Sequence, residues 1–428
     1  MTQMTHGTGT VAVVGGGAAG MMAALQAAEC GAAVLLFEKT GRMGRKLRIT
    51  GKGRCNVTND CDNNEFLINV PTNPRFLYAA LNRFSTADTK AFFESHGVPL
   101  KTERGKRVFP VSDKAGDIVA ALADACHRAG VRVIYERVTA LAMENGVLCG
   151  VITSEQRYEA GAVIVCTGGK SYPTTGSDGD GYTLAQQAGH TVTRLLPSLI
   201  PLTVQGELCP SLQGLSLKNV RLRVVLSGSS KSVFEDFGEM MFTHFGLTGP
   251  LVLSASSHLH DLVPGKYEAL IDLKPALDEK TLDERLLSDF AKYRNKDFCH
   301  ALDDLLPQKM IPVMISLSGI DPRKKVHDIT KEERRTLVSL LKCLRVPLHG
   351  FRPINEAIVT CGGGSVKEIS PKTMESKLLP RLYFAGEVID VDAYTGGFNL
   401  QIAFSTAVVA GENAAMEVMQ QQYDQIGE

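Results

Sequence analysis

The sequence predicts an α/β fold in which one discontinuous domain is interrupted by an insertion. Three observations predict it. First, an apolar run, a glycine turn and an alanine-rich stretch follow one another from Thr10 to Cys30, and a second apolar run, Ala32 to Glu38, comes directly after. Second, a glycine-rich, apolar texture disappears after His190 and returns only from Phe351. Third, the stretch between, about Thr193 to Arg352, holds short β-like runs broken by Pro and Gly, then a charged segment with helical leucine spacing.

Length and composition agree. A chain of 428 residues exceeds what one core usually serves, so two or three domains are expected. At 44% hydrophobic and 21% charged residues it is neither disordered nor fibrous. The 46 basic and 46 acidic side chains cancel, which argues against a nucleic-acid partner reached by bulk electrostatics. Ten cysteines form no C-x-x-C pair, so no zinc knuckle is expected, and no metal site. Met1 to Thr10 is polar without a basic n-region, and free thiols suit a reducing compartment; a cytoplasmic protein, monomeric or homodimeric and without a membrane partner, is the expectation. By hydropathy Val11 to Phe37 could pass for a membrane helix, but Gly15, Gly16, Gly17, Gly20 and Gly31 punctuate it as strand, turn, helix and strand.

Along the chain, Thr10 to Val14 reads as a buried strand, Ala18 to Cys30 as a helix closed by Gly31, and Ala32 to Glu38 as a second strand. Gly41 to Asn59 carries Arg42, Arg45, Lys46, Arg48, Lys52 and Arg54 with no acid before Asn59, and reads as a basic loop. Phe76 to His96 and Asp117 to Ala129 read as helices, and Val131 to Tyr135 as a strand. Val138 to Cys166 reads as a three-strand meander with Asn145-Gly146 at its first turn, ending in Thr167-Gly168-Gly169. Pro275 to Leu344 is helical in period. The expected division is a discontinuous domain of residues 1–192 and 353–428, an inserted β-rich domain of 193–274 and 345–352, and a small helical domain of 275–344.

Gly15, Gly17 and Gly20 form G-x-G-x-x-G between a strand and a helix. In a Rossmann-like domain the first glycine permits the turn, the second lets backbone approach a pyrophosphate, and the third lets helix pack on strand. Ala18 and Ala19 begin the helix, whose N-terminal N–H groups face the phosphates. Glu38, with Lys39 beside it, ends the second strand, where a carboxylate accepts from both ribose hydroxyls and repels a 2′-phosphate.

Three features favour FAD over NAD at this loop. The basic glycine loop is placed to wrap an extended cofactor, with Arg45 and Lys46 balancing the pyrophosphate and Thr50, Gly51, Gly53, Arg54, Cys55 and Asn56 running past the isoalloxazine. The meander from Val138 to Thr167, Gly168 and Gly169 resembles the crossover of FAD-binding oxidoreductases. LYFAGE, with Gly386 and Glu387, precedes Gly397, Asn399, Leu400 and Gln401 at the start of an apolar helix, which resembles the late FAD motif: acid on the ribityl chain, helix N-terminus on the pyrimidine carbonyls. A second G-x-G-x-x-G is missing, so NAD(P)H, as a transient electron donor, is expected to bind in the substrate cavity.

The strings GRKLRITGKGRCNVTN, TGGKSYPTTGSDGDGY, FTHFGLTGP, TCGGGSVKEI and the segment Leu382 to Gly411 together resemble the BaiN-type, or aminoacetone-oxidase, family of flavoproteins over nearly the whole chain. Ala393 and Phe398 depart from its commoner Gly and Tyr. The resemblance implies a glutathione-reductase-like FAD domain with an inserted β-rich domain and a small helical domain. It implies an oxidoreductase acting on a small organic molecule, with oxidation of an aminoketone and reduction of an enone as the activities known in the family. The alternatives are an FAD-using RNA-modifying or nucleic-acid-binding protein, which the zero net charge counts against, and a flavin-binding sensor without turnover.

Candidate catalytic residues are His244, as a proton donor in the inserted domain, and Cys55, as a redox partner of the flavin. For Cys55, packing or flavin contact is the preferred role, because disulfide oxidoreductases carry two closely spaced cysteines and Cys61 lies six residues away. His258-x-His260 has strand spacing without a third ligand. Lys101, Arg104, Lys106 and Arg107 read as a solvated stretch in preference to a contact for a nicotinamide 2′-phosphate.

Overall fold

A computed structural model describes residues 9–229 and 231–427. The chain divides into two compact units: one runs to Ser198 and resumes at Ile354, the other is Leu199–Pro353.

The first unit is built on a parallel sheet of five strands in the order Leu382–Phe384, Ala162–Val165, Thr10–Val14, Ala33–Phe37, Arg132–Ile134. Strands buried on both faces read as unbroken apolar runs, and TVAVV and AVIV are such runs. The segment with membrane-like hydropathy is strand, helix Ala18–Glu29 and strand, with Gly31 at φ +97 closing the helix. Among the described residues, no helix is long and apolar enough to cross a membrane. The helix Phe398–Gly427 packs on the first helix so closely that a Cβ on Gly411 would come within 2.5 Å of the Ala23 carbonyl oxygen.

Four local expectations are corrected. The basic segment is not all loop: Arg45–Ile49 is a short helix, with Gly44 at φ +69 ahead of it, and Thr58–Asn59 pairs with Arg107–Pro110. The third strand of the meander is Arg157–Glu159; Ala162–Val165 belongs to the parallel sheet. The first meander turn does hold Asn145 and Gly146 at φ 49 and φ 80. Phe76 to His96 is not one helix. It breaks at Phe84 and restarts as Thr86–Ser95, because the Ser85 side chain accepts from the Asp88 N–H while Asp88 accepts from the Ser85 N–H. His258 and His260 lie in a turn after the helix Pro250–Ser256, not on a strand.

The second unit is an antiparallel sheet of seven strands in the order Leu344–Pro347, Tyr267–Asp272, Ser216–Leu226, Ser232–Thr243, Gly246–Thr248, Leu202–Thr203, Gly350–Phe351. Helices Glu279–Lys292, Ile311–Ser318 and Lys331–Lys342 share its core: Leu282, Leu286, Leu337 and Leu341 are buried in one cluster with Leu222, Val224, Ala269 and Ile271. Asp278 and Thr330 cap the first and last of these helices.

Candidate functional site

Three parallel strands deliver three loops to the same edge of the sheet. Val14 leads into Gly15–Gly20, Val165 into Thr167–Gly169 and Phe384 into Gly386–Glu387. Ligands of open α/β sheets bind at this carboxyl edge. The glycines explain how closely the loops approach. A Cβ on Gly15 would lie 2.6 Å from the Cys166 carbonyl oxygen, one on Gly20 would lie 1.7 Å from the Gly15 oxygen, and one on Gly386 would lie 2.8 Å from the Ala19 Cβ. The start of the terminal helix joins the basic segment in the same way: a Cβ on Gly397 would lie 2.3 Å from the Thr58 carbonyl carbon. Gly169 makes room for Thr360 and Glu387, whose oxygens would be 2.5 and 2.7 Å from an added Cβ.

Against this crowding, Gly17 has nothing within 4 Å of its would-be Cβ. It is the N-cap of the helix Ala18–Glu29 and no side chain caps the helix N–H groups. The loop therefore presents free donors and a positive helix end to open space, which suits a pyrophosphate. The Glu38 carboxylate is buried, 9% exposed, and held in place: Oε2 accepts from the Gly16 N–H at 3.0 Å and Oε1 from the Thr40 N–H at 2.6 Å. Each oxygen keeps a lone pair for a ribose hydroxyl. Asn56 Oδ1 and Thr167 Oγ1 are buried with no hydrogen-bond partner among the described residues, which leaves an acceptor and a hydroxyl for a bound group. These features fit an adenine dinucleotide cofactor.

The cations sort differently from what their spacing suggests. Arg45 is exposed and has no ion pair among the described residues. Lys46 instead donates to Glu387 Oε2 at 2.6 Å and to Ser171 Oγ at 2.7 Å. Glu387 also accepts from the Thr360 N–H at 2.9 Å and the Ser171 hydroxyl at 3.1 Å. Arg54 pairs with Glu103 and Asp113 at 2.5 and 2.6 Å and stacks over the Phe109 ring at 4.2 Å. The Arg54 hydrogen bond holds the Glu103 carboxyl below the usual range, and those of Lys101 and Arg54 do the same for Asp113. Lys39 pairs with Asp178 and, at 2.7 Å, with Asp180. Lys46, expected to balance a pyrophosphate, and Arg54 are thus neutralised within the protein by carboxylates from distant segments.

Thr50 donates from its hydroxyl to the Lys46 carbonyl at 3.0 Å, and Gly51, Gly53 and Cys55 turn the backbone with φ of 61, 84 and 59. The Cys55 side chain is fully buried, and burial pushes its thiol far above the ordinary value. A thiol so held is a poor nucleophile. Cys55 and Cys61 are both free. Gln401 is buried and used within the protein, accepting from the Thr58 hydroxyl at 2.6 Å and donating to Ser405 Oγ at 3.0 Å and the Phe84 carbonyl at 3.2 Å. Asn399 ties back to Ala393, accepting from its N–H at 3.0 Å and donating to its carbonyl at 2.7 Å. Leu400 is half-buried beside it, and Val138 begins the meander as a buried residue. His244 belongs to the second unit. It is exposed in the turn between Ser232–Thr243 and Gly246–Thr248, with its ring 5.0 Å from that of Phe245.

Sequence reasoning missed the Lys46–Glu387–Ser171–Thr360 network and the buried Asp392. The only signal for the first was Thr360 opening the TCGGG string. A carboxylate inside the apolar run VIDVDA was the signal for the second.

Residues 9–413 match the HI0933-like protein Rossmann domain family. The chain is 31% identical over 415 residues to the 3-dehydro-bile acid Δ4,6-reductase of Clostridium scindens, covering 95% of this chain and 98% of that protein. It is 32% identical over 399 residues to the ribosomal RNA dihydrouridine synthase of Escherichia coli, covering 92% and 95%. Among solved structures, the 3-ketosteroid Δ1-dehydrogenase of Sterolibacterium denitrificans has the same fold, with a TM-score of 0.52 at 12% identity, covering 95% of this chain and all of that one. The chain therefore belongs to the HI0933-like family of FAD-binding, Rossmann-fold oxidoreductases.

Proposed function

We propose that this protein holds FAD along the carboxyl edge of its parallel sheet and reduces a carbon–carbon double bond conjugated with a carbonyl in a small organic substrate. The observation that carries the reading is the open Gly17 position at an uncapped helix end, one loop away from the anchored carboxylate of Glu38. Gly15, Gly17, Ala18, Ala19 and Gly20 take the pyrophosphate, with Arg45 free to balance its charge. Glu38 takes the adenosine ribose. Asn56 and Thr167, with their unsatisfied oxygens, meet the flavin end. Glu387, already held by three donors, orients toward the ribityl chain, and the helix at Gly397 offers its N-terminus to the pyrimidine carbonyls. When bound, the flavin supplies hydride transfer; the protein supplies position, charge and exclusion of water.

The substrate class follows from two relatives. A 3-keto-4,6-diene and a uracil ring share one feature, a double bond conjugated with a carbonyl, and the names of both relatives denote its reduction or its reduced product. NAD(P)H is the transient donor in this reading. Purified protein should be yellow, bleach anaerobically with NADH or NADPH, and recover its colour on addition of a steroid dienone or a simple enone, whose product gains two hydrogens. A colourless protein that takes up no FAD, or a reduced flavin that no enone reoxidises, sinks the proposal. The RNA-modifying relatives support a second reading, with uridine in RNA as the acceptor. Dihydrouridine formed in ribosomal RNA, without turnover of free enones, selects it.

A further inference from the structure

Asp392 lies in the loop between Gly386–Val388 and the terminal helix, with its side chain wholly buried. One carboxyl oxygen, Oδ2, meets the Ser198 hydroxyl at 2.6 Å; the other, Oδ1, has no hydrogen-bond partner among the described residues. Thr72 and Cys361 face the carboxyl as well, but neither makes a well-formed hydrogen bond to Oδ1, and a buried carboxyl so incompletely satisfied is costly. The contacts show what this one connects. Ser198 ends the strand Leu196–Ser198, which pairs antiparallel with Val359–Cys361. In that partner strand, the Thr360 N–H donates to Glu387. On its other side, the neighbour Ala393 exchanges two hydrogen bonds with the Asn399 amide, in the first turn of the terminal helix.

We propose that Asp392 is a positioning residue of the flavin site, clamping the Leu196–Ser198 ribbon to the loop that seats the N-terminus of Phe398–Gly427. This rests on the FAD reading given above. The same ribbon fixes Glu387 through Thr360 and the helix start through Asp392, so the ribityl and pyrimidine ends of the cofactor share one support.

The clamp is proton-linked. Burial pushes the Asp392 carboxyl above the ordinary carboxylate range, and the nearby Asp390 carboxylate adds to the effect, while Ser198, Thr72 and Cys361 act against it. Cys361 and Asp390 are the titratable groups that face it, and burial pushes the Cys361 thiol up to about 12. With its folded value raised, the buried site favours the neutral carboxyl although the Ser198 hydroxyl favours the anion; as pH rises from the ordinary carboxylate value through the raised one, the buried charge penalises the folded loop and the clamp weakens.

The test is FAD release from the holoprotein, followed by flavin fluorescence from about pH 4, the ordinary carboxylate range, up to about pH 9, for wild type, Asp392→Asn and Ser198→Ala. The wild type should release FAD more readily as pH rises. Asp392→Asn, a neutral isostere, should hold FAD within about threefold of wild type, with a flat pH profile. Ser198→Ala should weaken FAD by about tenfold and move the pH slope to higher pH, because the hydroxyl that lowers the carboxyl's value is gone. An Asp392→Asn protein that keeps the wild-type slope overturns the inference, as does a Ser198→Ala protein indistinguishable from wild type. A wild-type protein that takes up no FAD at any pH sinks the FAD reading instead.

Discussion

Two glycines of one motif carry different work at the residue scale. Gly20 exists for packing, since a Cβ there would sit 1.7 Å from the Gly15 oxygen. Gly17 has a φ of −83 and ψ of −166, which alanine adopts, and no neighbour within 4 Å. Gly20→Ala should therefore destabilise the FAD-free protein by about 1–3 kcal/mol. Gly17→Ala should leave its stability within about 0.5 kcal/mol of wild type yet weaken FAD, because the methyl enters the open space proposed for the pyrophosphate. Thermal melts without cofactor, paired with FAD titrations, separate the two; equal behaviour in both assays contradicts the assignment. Cys55 makes a third case. Its buried, protonated thiol argues that Cys55→Ser keeps flavin reduction. A serine protein that binds FAD but cannot be reduced would restore redox chemistry to this residue.

The elements differ in how far sequence reveals them. The strand TVAVV, the helix after it and the strand AVLLF were plain, because period, glycine turn and burial agree locally. The break at Phe84 was readable in principle: Ser85 stands three residues ahead of Asp88, a capping-box spacing masked by continuous apolar periodicity. The short helix Arg45–Ile49 was not readable, since charge and glycine content suggested loop and the helix holds only one buried residue, Leu47. The fate of AVIV was decided by partners: it pairs with Thr10–Val14 and Leu382–Phe384, far off in sequence, and not with the preceding hairpin. In the second unit the cap of Lys331–Lys342 is local, and its core residues Leu337 and Leu341 are not near the flavin motifs in sequence. Thr330→Ala should cost about 1 kcal/mol, seen as a lower urea midpoint with FAD affinity unchanged. A changed affinity contradicts a purely local role for the cap.

For the whole molecule, two compact units with separate cores imply separable unfolding. The FAD motifs all lie in the unit that ends at Ser198 and resumes at Ile354. Calorimetry should resolve two transitions, and FAD at a thousandfold its dissociation constant should raise one of them by about 4 kcal/mol. Glu38→Arg should abolish that shift and leave both transitions in place. Equal shifts of both transitions contradict the assignment of the cofactor to one unit.

By itself the sequence determined the first two strands of the parallel sheet, the dinucleotide turn and the carboxylate after the second strand, because each depends on residues adjacent in the chain. Only the tertiary structure decided which charges are free. Lys46 and Arg54 looked uncompensated in a stretch without acids, yet Glu387, Glu103 and Asp113 reach them across the fold. Arg45, one residue from Lys46, has no such partner among the described residues. Charge compensation acts through space over a few ångströms, and a linear pattern does not carry that distance. The same holds for Asp392, whose meaning comes from Ser198, brought to 2.6 Å by a strand pairing that no local period announces.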